Sequence, residues 1–239
     1  MARSGGGDGA NPFAGAIQPP KSTRTQIYEA IKWAIIDGKL PIGGRLVEAQ
    51  LVSWLGVSRT PVRESFGQLE QEGWITRLPT GGYIVSPIDV GQARYVYRVR
   101  AALEGLLARD ACARMTPENR EELMRRTEEL DRSAQVRDGR SIAATGRNVH
   151  SFIADLSDDT IAKRLLSQIN DRVELFRSLT VNLQRRQDEV REEHRRIAQA
   201  LLAEDPDAAQ KAMEEHILRA GRALVAVLTE EAQRRAEGE

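Results

Sequence analysis

A single cysteine, Cys112, stands in 239 residues. That excludes an internal disulfide framework and fits a reducing compartment. Its setting, "ARDACARM", is apolar and alanine-rich, which predicts a buried structural thiol rather than a nucleophile. No stretch approaches the ~20 consecutive apolar residues of a membrane helix. The opening "MARSGGGDGANPFAGAIQPP" lacks the continuous apolar core of a secretory signal. These absences predict a soluble, cytoplasmic protein with no membrane partner. Charge of one sign is missing too: 35 basic residues balance 35 acidic ones, so any basic surface must be local. Nothing has the form of a phosphate loop, a Ser-His-Asp set or a pair of catalytic carboxylates, and the chain is not expected to be an enzyme.

What is present falls into two halves. Residues 1–20 are rich in Gly, Ala and Pro and are expected to be a disordered tail. From Ser22, Ile27, Ile31, Ala34 and Ile35 recur at helical spacing, and the helix stops at Asp37-Gly38. "LPIGGRL" reads as a turn and a short extended piece. "VEAQLVSWLG" is a second helix ended by Gly56, and a third runs from Ser58 to about Glu72. "WITRLPTGGYIVSP" alternates around Gly-Gly as a two-stranded hairpin. Three short helices and a hairpin make a winged helix-turn-helix, predicted over residues 21–86 and followed by a linker at 87–91.

Beyond Pro87 only helical periodicity remains. Helices are predicted from Val90 to Met115, Pro117 to Val136, Ser141 to Leu156, Thr160 to about Val181, Gln187 to Ala203, and from Asp207 onward. Pro117 and Pro206 stand at helix starts, where proline is tolerated. The fold class is therefore mainly α: a winged helix-turn-helix, then an all-α antiparallel bundle over residues 92–232, with 233–239 as a tail.

The stretch "LGVSRTPVRE" concentrates the chemistry of the first half. Ser58 is placed to cap the third helix, and Pro61 falls in its first turn. Val62, Phe66 and Leu69 form the inward stripe. Arg59, Thr60, Arg63 and Gly67 share the neighbouring arc, so two arginines project together near a positive helix end. That geometry suits insertion into a major groove, where arginine pairs with guanine O6 and N7. A solvated helix with Arg–Glu pairs is the plain alternative. Arg77, Thr80, Gly81 and Gly82 of the hairpin are candidates for the minor groove or its phosphates, and Lys39 and Arg45 for phosphate contacts.

"IYEAIKWAIIDGKLPIGGRLVEAQLVSWLGVSRTPVRESFGQLEQEGWITRLPTGGYIV" resembles the DNA-binding domain of GntR-family transcriptional regulators over its whole length. The resemblance implies that Arg59, Thr60 and Arg63 read bases with Ser58 in support. Ala49 departs from it, standing where many members carry a basic DNA-contacting residue.

The chain has three histidines, each on an apolar stripe of a different helix. His194 lies with Val190, Ile197 and Leu201, His216 with Met213, Ile217 and Ala220, and His150 with Val149 and Ile153. A lone histidine on such a stripe is ordinarily a hydrogen-bonded core residue; three of them suggest convergence on a transition metal such as Zn or Ni. "VRAALEGLLARDACARM", "HSFIADLSDD" and "EEHRRIAQALLAEDPDAAQKAMEEH" resemble the FCD ligand-binding domain of the FadR subfamily. There the resemblance implies a divalent metal held by one Asp and three His. His150, His194 and His216 match the histidines, and Gly146 stands where the aspartate would be. Arg100 interrupts the stripe Val96, Leu103, Leu107 and either pairs with Glu104 one turn on or binds an effector carboxylate. Asn148, Asn170 and Arg172 are weaker pocket candidates.

These readings predict a homodimeric regulator, expected to be a repressor, on a pseudo-palindromic operator, released by a small organic acid with metal assistance. The alternatives are a three-histidine metalloenzyme with an appended DNA-binding domain, and an architectural DNA binder with a vestigial pocket.

Overall fold

A computed structural model describes residues 23–136, 138–180 and 183–237. The expected tail at 1–20 lies outside them. The chain divides into two compact units after Pro87.

In the first unit, α1 (Thr23–Ile36), β1 (Arg45–Leu46), α2 (Glu48–Leu55), α3 (Arg59–Gln71), β2 (Ile75–Arg77) and β3 (Tyr83–Val85) follow in order. Ile27, Ile31 and Ile35 bury one face of α1, and Leu51, Val62, Phe66 and Leu69 complete the core with Trp74, Ile75 and Val85. Phe66 meets Tyr83 edge to face at 4.9 Å, joining α3 to the wing. Truncating a buried phenylalanine of this kind costs about 3–5 kcal/mol. α2 ends at Gly56 in the left-handed region (φ 65°), its N–H bonded to the Val52 carbonyl. That conformation carries no penalty without a Cβ, and it turns the chain into α3.

Two expectations change here. The extended piece Arg45–Leu46 pairs with β3, so the wing is a three-stranded antiparallel sheet of order β1-β3-β2 rather than an isolated hairpin. And Ser58, although extended as an N-cap requires, makes no side-chain capping bond. Its usual target is the N–H of the second or third helical residue, and the third is Pro61, which has none.

The second unit is helical: α4 (Val90–Ala111), a 3₁₀ turn (Cys112–Arg114), α5 (Pro117–Gln135), α6 (Gly139–Leu156), α7 (Thr160–Thr180), α8 (Gln184–Leu202) and α9 (Pro206–Glu237). Several starts are capped as the sequence dictates. Asp89 accepts from Gln92 N, Thr116 from Asn119 N, Asp138 from Arg140 N and Ser141 N, and Asp205 from Ala208 N. The Asp138 cap starts α6 two residues before the expected Ser141. α4 begins at Val90, inside the expected linker, and α9 continues to Glu237, through most of the stretch expected as a tail. Cys112 is buried and reduced.

α4 and α9 pack closely along their lengths, and two glycines permit it. A Cβ on Gly221 would lie 2.7 Å from Tyr97 Cβ, and one on Gly105 would lie 2.7 Å from Glu214 Cγ. Real Cβ atoms do not approach so near. The close crossing brings His216 on α9 to the level of Arg100 and Glu104 on α4, which positions the site below.

Candidate functional site

His150, His194 and His216 come together from α6, α8 and α9. Their ring centroids are 4.5–5.1 Å apart, and one donor atom from each lies within 4.8 Å of the others. Each ring is oriented by a bond at Nδ1. His150 Nδ1 meets Glu104 Oε2, His216 Nδ1 meets Glu193 Oε2 at 2.7 Å, and His194 Nδ1 meets the Val190 carbonyl at 2.8 Å. All three partners are acceptors, so each Nδ1 carries the proton and each Nε2 presents a lone pair. This second layer of carboxylates and a carbonyl is the usual support of histidine ligands.

The arrangement therefore holds a contradiction that a cation resolves. His150 Nε2 and His216 Nε2 stand 3.2 Å apart. With both rings neutral and both Nδ1 atoms protonated, two lone pairs would face each other. A shared proton or a metal ion removes the repulsion. The donor set of three imidazoles fits a borderline divalent ion such as Zn²⁺ or Ni²⁺.

Gly146 marks the open side of this centre. It is buried on α6, one turn before His150, and an ideal Cβ there would lie 3.5 Å from His194 Nε2. Position 146 thus points at the centre, and its side chain is what the chain leaves out.

Next to the histidines lies a pocket of ≈ 80 Å³, bounded by Tyr97, Arg100, Gly146, Arg177 and Thr180 as well as the three imidazoles. Arg100 is buried, and its Nε donates to Glu104 Oε1 at 2.5 Å. Of the two readings of Arg100, the pairing with Glu104 is observed, and Arg100 also lines the pocket. Glu104 joins two systems, Arg100 through one oxygen and His150 through the other. Burial raises its carboxyl, but Arg100 and His150 outweigh burial and hold it well below the usual carboxylate range. Burial lowers the His150 imidazole; Glu104 opposes that, while Arg100 and Arg177 add to it. Arg177 donates to Glu174 Oε1 at 2.6 Å, and burial and Arg100 both depress it. A guanidinium stays charged even so, and two of them facing one small cavity favour an anion.

Asn148 and Asn170 are corrected. Both are exposed, and neither they nor Arg172 line the pocket. Asn148 is turned away from His150 on α6, and Asn170 lies two turns before Arg177 on the same side of α7, beyond the reach of the pocket. Arg177 and Glu193 escaped the sequence reading, and Glu104 was read only as the partner of Arg100, not of His150. Arg177 left a trace, a charged residue following the buried Leu175 and Phe176. Glu193 left none, since it looks like half of a surface pair, and nothing local links Glu104 to His150.

In the first unit, Ser58, Arg59, Thr60 and Arg63 are exposed along the N-terminal edge of α3, with Gly67 beside them. Glu48 of α2 accepts from Arg63 Nε at 2.9 and 3.0 Å and raises its pKa. Arg77, Thr80 and Gly81 are exposed on the wing, and the Arg45 guanidinium lies beside Gly82. Lys39 pairs with exposed Asp37 at 3.2 Å.

A winged helix-turn-helix with a basic recognition edge, followed on the chain by a helical bundle enclosing a cationic pocket, defines a DNA-binding regulator of transcription. The comparisons place it further. The family model for bacterial regulatory proteins of the gntR family matches residues 23–85, and the FCD domain matches residues 95–219. The chain belongs to the GntR family, in the FadR branch that carries an FCD domain. The HTH-type transcriptional repressor RspR of Escherichia coli K12 is 24% identical over 84% of the chain and 88% of its own length. An uncharacterized HTH-type regulator of Bacillus subtilis, YdhC, is 26% identical over 82% and 88%. Among solved structures, Escherichia coli McbR/YncC superposes with a TM-score of 0.67 at 23% identity, covering 89% of this chain and all of that one. These relatives are regulators and not enzymes, which sets the metalloenzyme alternative aside. Among the described residues, no helix is long and apolar enough to cross a membrane.

Proposed function

We propose that this regulator is a homodimeric repressor whose hold on a pseudo-palindromic operator is released by a small carboxylate. The effector binds in the α4/α6/α7/α9 pocket against Arg100 and Arg177, beside a divalent metal held by His150, His194 and His216. The observation that carries this reading is the convergence of three Nε2 lone pairs on a cavity faced by two guanidinium groups. A bound ion supplies a Lewis-acidic position for an oxygen of the carboxylate. Gly146 leaves room on that side, where an aspartate would otherwise stand.

DNA reading is assigned to Arg59, Thr60 and Arg63, with Ser58 shaping the entry to α3, and Arg77, Thr80 and Gly81 on the wing. The dimer is supported by an apolar face on α4. Tyr95, Val99 and Leu106 are exposed there, and α7, which packs on α4, exposes Ile161 and Leu165. Burying such a patch against a second copy is the ordinary reason for its existence.

For release, operator and effector must prefer different conformations of the protein. The test is operator affinity measured with and without a panel of two- to six-carbon acids, on protein loaded with zinc. An acid that weakens operator binding by a saturable, roughly five- to 150-fold factor supports the reading. No change in operator affinity for any acid that binds would reject it.

A further inference from the structure

On the other side of His216, α8 and α9 enclose a second cleft. It measures ≈ 280 Å³, against ≈ 80 Å³ for the pocket described above. The spacing of Ala208, Ala212, Glu215 and Arg219 lays one face of α9 along it, and Glu193 and Arg196 close it from α8. The two alanines leave the floor open. Arg196, Lys211 and Arg219 bring three positive charges to a space with two carboxylates.

The ion pairs around the cleft are loose. Arg219 lies 3.6 Å from Glu193 and 4.0 Å from Glu215, and Arg196 lies 3.6 Å from Glu192. These exceed hydrogen-bond length, and the two exposed pairs, Arg219–Glu215 and Arg196–Glu192, contribute little. An oxyanion that offered short, charge-assisted bonds would displace them at small cost. Glu193 is different: it is 4% exposed, and its second oxygen accepts from His216 Nδ1 at 2.7 Å. One buried carboxylate thus touches the arginine of the outer cleft and the ring of the inner centre.

We propose that this cleft is a second binding site, for a phosphate-class dianion, and that Glu193 transmits its occupancy to the histidine centre. A dianion bound to Arg196, Lys211 and Arg219 draws Arg219 off Glu193. The carboxylate then gives up its contact with Arg219, and the His216 Nδ1–H bond strengthens. Because His216 Nε2 faces His150 Nε2 at 3.2 Å, the change reaches the inner centre. Nothing in this requires a metal or an effector to be bound, so it stands apart from the function proposed above.

Three histidines make the side-chain nitrogen spectrum legible. Inorganic phosphate is titrated into the full chain at constant ionic strength, and the ring ¹⁵N shifts are followed. The expected result is a saturable shift at His216 followed by a smaller one at His150. The double variant Arg196→Gln/Lys211→Gln, which changes only surface side chains, should weaken the apparent affinity by roughly tenfold or more. Arg177→Gln, in the inner pocket, should leave it unchanged. Glycerol phosphate in a parallel titration separates the sources: tighter binding than phosphate indicates a phosphorylated metabolite, equal binding the free ion. Equal shifts with chloride, or loss of binding in Arg177→Gln but not in the double variant, would overturn the site. A His150 shift that persists in Glu193→Gln would overturn the route through Glu193.

Discussion

Glu48 grips Arg63 through its Nε, with both carboxylate oxygens within 3.0 Å. Both bonds use Nε, which leaves the two terminal nitrogens of Arg63 for the guanine reading proposed above. Under the proposed DNA reading, Glu48 is a positioning residue for the reading edge. Glu48→Ala should reduce the preference for operator over random DNA while leaving non-specific binding equal or stronger, since a negative charge is lost. Arg63→Ala should cost roughly tenfold or more in the same ratio. Competition binding against random duplex at fixed salt measures both, and an unchanged ratio for Glu48→Ala would show that the pair orients nothing.

Arg45 should behave differently. It lies on β1 beside Gly82 at the wing, not on the exposed edge of α3. Arg45→Gln is expected to weaken operator and random DNA alike, and to lower the slope of log affinity against log salt by about one. Loss of sequence preference instead would assign Arg45 to base reading.

The carboxylate shared by Arg100 and His150 is a point of stability. Removing it in Glu104→Ala leaves a buried guanidinium without its counter-ion, a change worth about 3–5 kcal/mol. Glu104→Gln keeps the volume and an acceptor, and should lose less. Urea denaturation of both variants tests the order; equal stability would mean that solvent reaches Arg100.

Gly146→Asp is expected to raise zinc affinity and lower effector affinity together. The new side chain would start 3.5 Å from His194 Nε2, in helical backbone that any residue adopts, and would bring a fourth ligand to the space assigned to the effector. Zinc competition titrations and effector calorimetry on one preparation read the two changes. Weaker zinc binding would contradict the assigned direction of position 146. His194→Ala, by contrast, should abolish zinc retention in elemental analysis.

Gly221→Ala tests the α4–α9 contact. Its Cβ would meet Tyr97 Cβ at 2.7 Å with no flexible atom to yield. Overpacking of this kind costs about 1–3 kcal/mol, read as a fall in denaturation midpoint with unchanged slope.

The parts legible in the sequence were those written in local periodicity. Val62, Phe66 and Leu69 announce which way α3 faces, and with it the exposure of Arg59, Thr60 and Arg63. The three histidines declare their inward faces by the company of Val149, Ile197 and Ile217. Position 146 was legible only through the FCD resemblance, which implies an aspartate one turn before His150. What stayed hidden depends on pairs of helices. Glu193 belongs to His216 only because α8 and α9 pack, and Glu104 reaches His150 only because α4 and α6 do. The third strand was hidden for the same reason, since two residues acquire strand character only from the partner they find. Asn148 shows the reverse error. It is polar and two residues from a ligand position, yet that is the separation on a helix that turns a side chain away.

The histidine centre has no local origin. Its three histidines come from α6, α8 and α9, and the groups that orient them from α4 and α8, so no fragment of the bundle possesses it. Whatever occupies the centre recognises only the fully assembled fold and stabilises it by mass action. Under the proposed function, occupancy would then govern how often the bundle opens to a protease. The cell's supply of the occupant would set the lifetime of this regulator as well as its grip on DNA, and degradation would itself report the signal.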